Sequence, residues 1–256
     1  MKIVLTKIQD YKDDNNNVIS CGVVIESGFK VEFTGKNNKL VIHPEAKNRN
    51  LTIMFDCDDG YCEIGKNTFS GVVRVGFEST IKIGSGINCT SPVYISAAEK
   101  ASVHLGDDIM FASQVEIRAD DGHPIFDVRT RKRINLPKNV MIGNHVWLGA
   151  YTRILGGTTI GDGSVVGIGS IVKGKFPNNC IIVGVPGKVV RKDIAWERPH
   201  LTLTKPYYKD DPGSIALTDY WNLTVEDTPT VESLDYTSPV HKYSRLTSFL
   251  KLLKFW

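Results

Sequence analysis

The sequence predicts an all-β protein built as a parallel β-helix, and a six-residue period is the main observation behind that prediction. Within residues 140–176 every sixth position is a branched aliphatic: Ile142, Leu148, Ile154, Ile160, Val166 and Val172. The following position is mostly glycine, and three positions later stands a small or β-branched residue or, at the end, Phe176. An amphipathic helix needs apolar residues three and four apart, and a half-buried strand needs them at every second position. A chain that turns a corner every six residues fits instead, with three strands in each triangular coil.

The same period extends towards the amino terminus with gaps. Leu105, Phe111 and Ile117 repeat the aliphatic column, and Ile83 and Ile64 begin earlier coils. The steps between Ile64, Ile83 and Leu105 are close to the ~18 residues of one full coil, so a few residues bulge outward in each. We therefore expect the β-helix to begin well before the regular stretch.

The repeats divide the chain into two regions. We expect residues 1–195 to form one β-helix domain, with an irregular coil around Ile42 in "VIHPEAKN" and a cap formed by the first forty residues. Residues 196–256 lack the period and are predicted to be a carboxy-terminal extension. Its aromatic residues predict packing on the β-helix or on a neighbouring subunit; they are Tyr207, Tyr208, Tyr220 and Trp221.

Composition limits the classes of partner. The formal net charge is +3, from 31 basic and 28 acidic side chains, which gives no general reason to expect nucleic acid as a partner. The five cysteines lack CxxC pairs, which favours reduced thiols. The amino-terminal apolar run is too short for a signal peptide, and no segment has the ~18 apolar residues of a membrane span. We predict a cytoplasmic protein.

The period fails between Ile117 and Leu136. Continuing the count through "RADDGHPIFDVRTRKRIN" would place His123 and Arg129 in the core column. Because unpaired polar groups in a core cost several kcal/mol, we expect residues 118–135 to leave the coil as a loop. Such interruptions of a regular scaffold often carry function.

Three motifs around this loop carry a family resemblance. "GHP" in the loop, "VWLG" one coil later and the closing "GVPGKVVR" resemble the catalytic half of the hexapeptide-repeat acyltransferases, the group that contains galactoside and maltose acetyltransferases. Gly187 departs from the alanine or cysteine usual in that family. The resemblance covers about ninety residues closely. It implies a left-handed parallel β-helix, acetyl-CoA as co-substrate, and a homotrimer with its site between neighbouring subunits.

The resemblance implies that His123 is the catalytic base. An imidazole suits proton removal from a sugar hydroxyl near neutral pH. A carboxylate or carbonyl should orient the ring, and Asp120, Asp121 and Asp127 are the nearest carboxylates in sequence, with no means of choosing among them. His145 has no role in the family and is predicted to lie on the surface.

Two further side chains are candidates for the acceptor site. Trp147, at an outward position after the loop, resembles the family's active-site tryptophan; a rim residue buried at the subunit interface is the alternative. Asn88 is consistent either with an amide that contacts the acceptor or with a turn-forming asparagine.

The resemblance also places coenzyme A in the groove between subunits. Backbone groups at four positions are candidates for its amide-rich arm, because small or missing side chains there permit close approach: Gly149, Ala150, Gly167 and Ile168. Three basic residues are candidates for its phosphates, or else are solvated charges: Lys173, Lys188 and Arg191.

The loop contains four cations within five residues, namely Arg129, Arg131, Lys132 and Arg133. They are consistent with a solvated loop tip. They are equally consistent with attraction of an anionic acceptor, such as an acidic glycan, or of the nucleotide end of coenzyme A.

These observations predict an acetyl-CoA-dependent O-acetyltransferase that acts on a sugar hydroxyl, in a bacterial capsule, O-antigen or exopolysaccharide or in its precursor. An N-acetyltransferase of an aminosugar nucleotide or an antibiotic is the first alternative. A β-helical carbonic anhydrase would need three histidines around a metal, and no second histidine stands close to His123, so no metal is expected. A non-catalytic scaffold is the last alternative.

The last twelve residues, "RLTSFLKLLKFW", have helical spacing on one apolar face. That face comprises Leu246, Phe249, Leu250, Leu253 and Trp256. A short basic amphipathic helix of this kind could dock on protein or lie on the inner surface of an anionic membrane.

Overall fold

The computed structural model describes residues 2–226, in which it places 23 strands and one short 3-10 helix, Pro212–Ser214. The first twelve strands are β1 (Ile3–Leu5), β2 (Tyr11–Lys12), β3 (Val18–Ser20), β4 (Phe29–Phe33), β5 (Lys39–Ile42), β6 (Leu51–Phe55), β7 (Tyr61–Ile64), β8 (Gly71–Val75), β9 (Thr80–Ile83), β10 (Asn88–Cys89), β11 (Val93–Ala97) and β12 (Ser102–Leu105). The others are β13 (Met110–Phe111), β14 (Glu116–Arg118), β15 (Val140–Ile142), β16 (Trp147–Leu148), β17 (Arg153–Leu155), β18 (Thr159–Ile160), β19 (Val165–Val166), β20 (Ile171–Val172), β21 (Lys175–Phe176), β22 (Ile181–Gly184) and β23 (Gly187–Arg191).

These strands stack into three sheets that form the sides of a triangular prism. Sheet 1 has the order β1-β4-β6-β8-β11-β14-β17-β20, sheet 2 has β10-β13-β16-β19-β22-β23, and sheet 3 has β2-β3-β5-β7-β9-β12-β15-β18-β21. From β9 onward each complete coil runs from sheet 3 to sheet 2 to sheet 1, and successive coils pair in parallel. The predicted parallel β-helix is confirmed.

The predicted aliphatic column forms the core of the prism. Residues one ~18-residue coil apart are register partners, namely Ile142 with Ile160, Leu148 with Val166, and Ile154 with Val172. All six side chains are buried. Leu105, Phe111 and Ile117 pair below Ile142, Leu148 and Ile154, which confirms the upstream extension.

The final coil departs from the count. Phe176 was expected in the column of small residues, but it pairs with Ile160 and therefore occupies the aliphatic column. The chain reaches this position two residues early, because the step from 160 to 176 is shorter than a regular coil. β23 then folds back antiparallel on β22 at the end of sheet 2.

The amino-terminal cap is shorter than predicted. β1 lies antiparallel to β4, and β2 lies antiparallel to β3, so these first two strands close the end of the prism. Parallel stacking already begins where β3 pairs with β5, at Val18. The expectation of a forty-residue cap was therefore wrong in extent, because sheets 1 and 3 start before the six-residue period becomes regular. The predicted coil around Ile42 is confirmed by the pairing of β5 with β7.

Residues 196–226 belong to the same compact unit as the β-helix within the described part of the chain. The apolar stretch from Leu246 to Trp256 lies outside the described residues. Across residues 2–226 we find no helix that is long and apolar enough to span a membrane.

Truncation of the central core side chain should test how strongly the column holds the coils together. Ile154 is fully buried between Ile117 and Val172, so Ile154→Ala is expected to lower the free energy of unfolding by about 2–5 kcal/mol, measured by urea titration. Leu203→Ala, at a side chain that is 79% exposed, is the matched control and should change it by less than about 0.5 kcal/mol. Equal effects of the two substitutions would contradict the assignment of the core.

Candidate active site

The segment between β14 and β15 leaves the prism at the corner where sheets 1 and 3 meet. It forms a projecting hairpin in which Ile134 N donates to Ile125 O at 2.9 Å and Asp127 N donates to Lys132 O at 2.9 Å. The coil resumes in register, since Ile117 still pairs with Ile154. The interruption predicted from the failed period is therefore an excursion from an otherwise continuous β-helix.

Asn135 braces the backbone around His123. Its Oδ1 accepts from Ile125 N at 2.7 Å, and its Nδ2 donates to His123 O at 2.8 Å and to Asp121 Oδ2 at 3.0 Å. These bonds hold both ends of the turn that carries His123, while the His123 residue itself is exposed. Asn135 was not among the predicted site residues, because an asparagine in a loop gives no signal of its long-range partners.

The three carboxylates near His123 differ in the hydrogen bonds that they accept. Asp127 Oδ1 accepts from Arg129 N and from the amide and hydroxyl of Thr130, which lowers the pKa of Asp127. Asp121 is held by Asn135. Asp120 Oδ1 accepts from Gly122 N at 3.0 Å, but its buried Oδ2 accepts no hydrogen bond within the described chain. Among the three, Asp120 is therefore the one whose unbonded oxygen is buried.

The four loop cations do not act alike. Arg133 Nη1 pairs with Glu99 Oε2 at 2.7 Å, and its Nε donates to Asn135 Oδ1 at 3.3 Å. Arg133 thus anchors the hairpin to the β-helix. Arg129, Arg131 and Lys132 are exposed around the turn and present their charge to solvent.

Trp147 lies on the outer face of sheet 2, in β16. It is 37% exposed, and its register partner in the preceding coil is Met110, whose own partner one coil earlier is Asn88. The structure therefore brings the two predicted acceptor-site residues, Asn88 and Trp147, into one outward column. Asn88 lies in a strand, so its interpretation as a turn-forming asparagine was wrong.

Within one chain, the hairpin that carries His123 and the strand that carries Trp147 lie on different sides of the prism. The hairpin leaves from the corner between sheets 1 and 3, whereas Trp147 lies on sheet 2, the side of the prism opposite that corner. Within one chain the β-helix therefore stands between the base of the hairpin and Trp147.

His145 is buried, with 0% exposure, so the prediction of a surface residue was wrong. Its ring stacks between Trp196, with centroids 4.1 Å apart, and Tyr220, with centroids 4.6 Å apart. Its Nδ1 lies 2.5 Å from Asp108 Oδ2, and its Nε2 lies 3.0 Å from Trp196 O. The residues that cover His145 come from beyond the repeats, where the six-residue count gives no guide.

Those covering residues belong to a segment that we call the strap, residues 192–226. Asn179 Nδ2, at the last corner between sheets 3 and 2, donates to Tyr220 O at 2.5 Å and to Ile194 O at 2.9 Å. Trp196 Nε1 donates to His145 O at 3.0 Å on an earlier coil. The packing of Tyr220 agrees with the prediction for the extension, although Tyr207, Tyr208 and Trp221 remain largely exposed.

Arg198 connects the strap to the two coils that precede the coil of His145. Its Nε donates to Asp108 Oδ1 at 2.6 Å and its Nη2 donates to Asp108 O at 2.8 Å. Its Nη1 reaches Asn88 Oδ1 at 3.2 Å, and Nη2 also reaches Gly86 O at 3.3 Å. One guanidinium therefore ties the strap to two neighbouring coils.

The histidines of residues 2–226 differ in their fitness as a base. His145 is bonded at both ring nitrogens, and burial lowers the pKa of His104 to about 4. His43 and His200 use Nδ1 to accept from Glu45 N and Thr202 N. His123 is exposed on the hairpin, and no hydrogen bond to its ring occurs in this part of the chain. Its imidazole can therefore contact a substrate.

Comparison with known proteins agrees with this architecture. The sequence profile described as "Bacterial transferase hexapeptide (six repeats)" matches residues 139–174. The chain is 36% identical over 157 residues to the "Putative lipopolysaccharide biosynthesis O-acetyl transferase WbbJ" of Escherichia coli (strain K12), covering 55% of this chain and 78% of that protein. The crystal structure of "the polySia specific acetyltransferase NeuO" superposes with a TM-score of 0.63 at 30% identity, covering 93% of this chain and 94% of that one.

The chain belongs to the hexapeptide-repeat acetyltransferase family. Its fold is the left-handed parallel β-helix that the resemblance implied. It is also 39% identical over 198 residues to the "Polysialic acid O-acetyltransferase" of Escherichia coli O1:K1 / APEC, an alignment that covers 73% of this chain. The chain spans 62% of the length of that relative.

This hexapeptide-repeat protein places its four predicted coenzyme-arm residues at one corner, between sheets 2 and 1. Gly149 and Ala150 follow β16, and Gly167 and Ile168 follow β19 on the next coil. A Cβ on Gly149 would stand 2.6 Å from Val166 O and 2.8 Å from Ile168 N, so stacking of the coils itself requires glycine there. The reason for Gly149 is thus the scaffold, whereas the side chain of Ile168, 72% exposed, faces outward.

The predicted phosphate-binding cations are exposed but do not all lie together. Lys188 and Arg191 share β23, on the edge of sheet 2, whereas Lys173 follows β20 at the corner between sheets 1 and 3. Lys188 and Arg191 are on the same sheet as the predicted coenzyme-arm corner. Within residues 2–226 no three His, Cys, Asp or Glu side chains are grouped closely enough to hold a metal ion.

Proposed function

We propose that this protein is an O-acetyltransferase that uses acetyl-CoA to acetylate a hydroxyl of an acidic bacterial surface polysaccharide. The observation that carries the proposal is the exposed His123 on a hairpin that interrupts the β-helix of an acetyltransferase family member. The acceptor class is supported by the printed names of two relatives, both polysialic acid O-acetyltransferases.

His123 acts as the general base. It removes the proton from the acceptor hydroxyl, so that the oxygen can attack the thioester carbonyl, and it then returns the proton to the departing thiolate as the carbon–sulfur bond breaks. Acetyl-CoA supplies the activated acetyl group. Asp120, whose buried Oδ2 accepts no hydrogen bond within the described residues, is the candidate for orienting the imidazole. Backbone N–H groups at the groove stabilise negative charge on the carbonyl oxygen.

The residues present suit coenzyme A chemically. At the corner that follows β16 and β19, the exposed Ile168 side chain offers an apolar contact. Lys188 and Arg191 supply cations for phosphate groups at the same sheet. Coenzyme A would therefore lie along sheet 2, with Lys173 contacting it only if a neighbouring subunit presents that corner.

We also propose a homotrimer. His123 and Trp147 lie on opposite sides of one prism, so a site that contains both requires the hairpin of one subunit against sheet 2 of the next. Because each subunit would donate one group and receive the other, the contact is head-to-tail, and three copies related by a threefold axis would close it as a ring. The exposed apolar side chains of the hairpin, which a neighbouring subunit would cover, support this arrangement; they are Ile125, Phe126, Val128, Ile134 and Leu136.

The function is tested with the full chain, acetyl-CoA and three acceptors: polysialic acid, a neutral glucan of similar length, and a nucleotide-linked aminosugar. Release of free thiol together with hydroxylamine-labile acetyl groups on polysialic acid is the expected result. Transfer only to the aminosugar, through an amide, would replace the proposal by an N-acetyltransferase. Absence of thiol release with every acceptor would favour a scaffold.

Neutralising the loop tip should weaken binding of an acidic acceptor. Arg129→Ser, Arg131→Ser and Lys132→Ser combined are expected to raise the KM for polysialic acid by about tenfold at low salt, because three exposed cations are lost. Arg133 is retained, since it anchors the hairpin through Glu99. The difference should shrink as salt is added.

The matched control for this variant removes three exposed lysines elsewhere. Lys12→Ser, Lys36→Ser and Lys47→Ser change the net charge by the same amount but lie on the amino-terminal coils. An equal rise of KM in both triple variants would assign the effect to net charge and not to the hairpin. Cytoplasmic location stays a prediction. Contact of residues 245–256 with a membrane also stays a prediction, and flotation with anionic liposomes is the measurement that tests it.

A further inference from the structure

The strap contacts both side chains that we place at the acceptor site. Trp196 packs against Trp147, with ring centroids 5.9 Å apart and planes tilted by 46°. Arg198, two residues later, donates to Asn88 Oδ1 at 3.2 Å. Asn88 and Trp147 lie two coils apart in one column of sheet 2, so an extended strap running along the prism reaches each of them in turn.

We propose that the strap positions the acceptor-binding side chains: Trp196 sets the orientation of the Trp147 indole, and Arg198 fixes the amide of Asn88. Trp196 and Arg198 are positioning residues that act through their neighbours. The proposal rests on the proposed function, because it assigns Trp147 and Asn88 to the acceptor.

Trp196 can hold Trp147 because it is itself held on several sides. It is only 8% exposed, its Nε1 is bonded to His145 O, and its carbonyl faces His145 Nε2 at 3.0 Å. The stack of Trp196, His145 and Tyr220 places two rings of the strap around one ring of the β-helix. Such a buried, doubly bonded indole is a rigid wall for its neighbour.

Trp147, in contrast, depends on its surroundings for its orientation. It is 37% exposed on the outer face of the sheet, and among residues 2–226 its ring contact is the one with Trp196. An indole on an open sheet surface can adopt several rotamers, and a neighbouring ring removes some of them. Substrate binding then does not require Trp147 to become ordered, and this improves acceptor affinity.

The guanidinium of Arg198 is likewise occupied by hydrogen bonds within the protein. Its donors face Asp108, Asn88 and Gly86, which leaves the guanidinium as a structural clamp and not as a ligand for the polysaccharide. Because Asn88 Oδ1 accepts from Arg198, the Asn88 Nδ2 amide points its hydrogens away from that bond. Arg198 thereby selects which group Asn88 can offer to an acceptor hydroxyl.

The kinetic test compares Trp196→Phe with Trp221→Phe, using polysialic acid as acceptor. Trp221 is a second tryptophan of the strap, whose Nε1 donates to Glu197 and which has no ring contact with Trp147 among those observed. Trp196→Phe is expected to raise the KM for polysialic acid by about tenfold and to leave the KM for acetyl-CoA within about twofold. Trp221→Phe should change neither by more than about twofold. Equal changes in the two KM values for Trp196→Phe would overturn a positioning role in favour of general destabilisation.

A second variant, Arg198→Lys, tests the contact with Asn88. It keeps a cation beside Asp108 but loses the forked geometry that reaches Asn88. A rise in the KM for polysialic acid comparable with that of Asn88→Ala, and no further rise in the double variant, is expected. Additive effects in the double variant would show that Arg198 does not act through Asn88.

A spectroscopic measurement keeps this inference separate from the proposed function. In protein labelled with 5-fluorotryptophan, the Trp147 resonance is identified by its loss in Trp147→Phe. We expect Trp196→Phe to shift or broaden that resonance, and Trp221→Phe to leave it unchanged. If the wild type acetylated no acceptor, the proposed function would be overturned, but this resonance would still report the contact between Trp147 and Trp196. If the Trp147 resonance did not move in Trp196→Phe, the positioning role would be overturned.

Discussion

The variant His123→Ala is expected to lose about 10²- to 10⁴-fold in kcat/KM for acetyl transfer. Removing the imidazole removes the group that takes the acceptor proton, and no other histidine of residues 2–226 is exposed without a local hydrogen bond. The measurement is initial-rate kinetics by thiol release with polysialic acid. The melting temperature should stay within about 2 °C of that of the wild type, because His123 stands on a projecting hairpin outside the core.

His200→Ala is the control for this variant. His200 is also exposed, but its ring contacts only its own turn through Thr202, on the strap side of the protein. It should retain full activity. If His123→Ala kept wild-type activity, another base or a non-catalytic role for the hairpin would have to replace the proposed mechanism.

Two inactive variants should complement each other when they share one oligomer. His123→Ala and Trp147→Ala, co-expressed with different affinity tags and purified through both, are expected to regain about a third of wild-type activity. Each mixed trimer has one interface at which an intact His123 meets an intact Trp147. The reason is structural, since one prism places the two side chains on opposite sides.

The control for complementation carries both substitutions in one chain. That double variant, co-expressed with His123→Ala and purified through both tags, has no intact His123 and should regain no activity. Failure of the original pair to regain activity, with mixed oligomers verified by mass spectrometry, would mean that the two groups do not meet between subunits.

The sequence predicted the regular half of the fold because each coil repeats the same local requirement. An aliphatic residue at every sixth position must point into a narrow prism, and residues 142–172 satisfy this without interruption. The amino-terminal coils were harder to predict, because their steps are unequal and longer than ~18 residues, as the pairing of Ile42 with Ile64 and of Ile64 with Ile83 shows. The prediction for the final coil failed for the same reason, because Phe176 pairs with Ile160 after a step shorter than a regular coil.

The candidate site could be predicted only where it interrupts the pattern. His123 stands out because the count fails around it, and Trp147 because it occupies an outward position next to a family motif. The strap gave no such signal, since its partners are distant in sequence. Trp196 bonds to His145, 51 positions away, and Arg198 bonds to Asp108, 90 positions away. No period in the sequence relates these residues, so His145 was wrongly expected at the surface.

The register on either side of the hairpin has a consequence for how this protein can change. Leu105 pairs with Ile142 and Ile117 pairs with Ile154, so the coil before the hairpin and the coil after it stack in the register of the regular coils. Between the bonded ends of the hairpin, where Ala119 O accepts from Lys138 N, and apart from the Arg133–Glu99 ion pair, its length and sequence can therefore vary without rearrangement of the stacked coils. Exchange of the hairpin between relatives should transfer acceptor preference as a module, and evolution can alter the chemistry and the architecture of this chain independently.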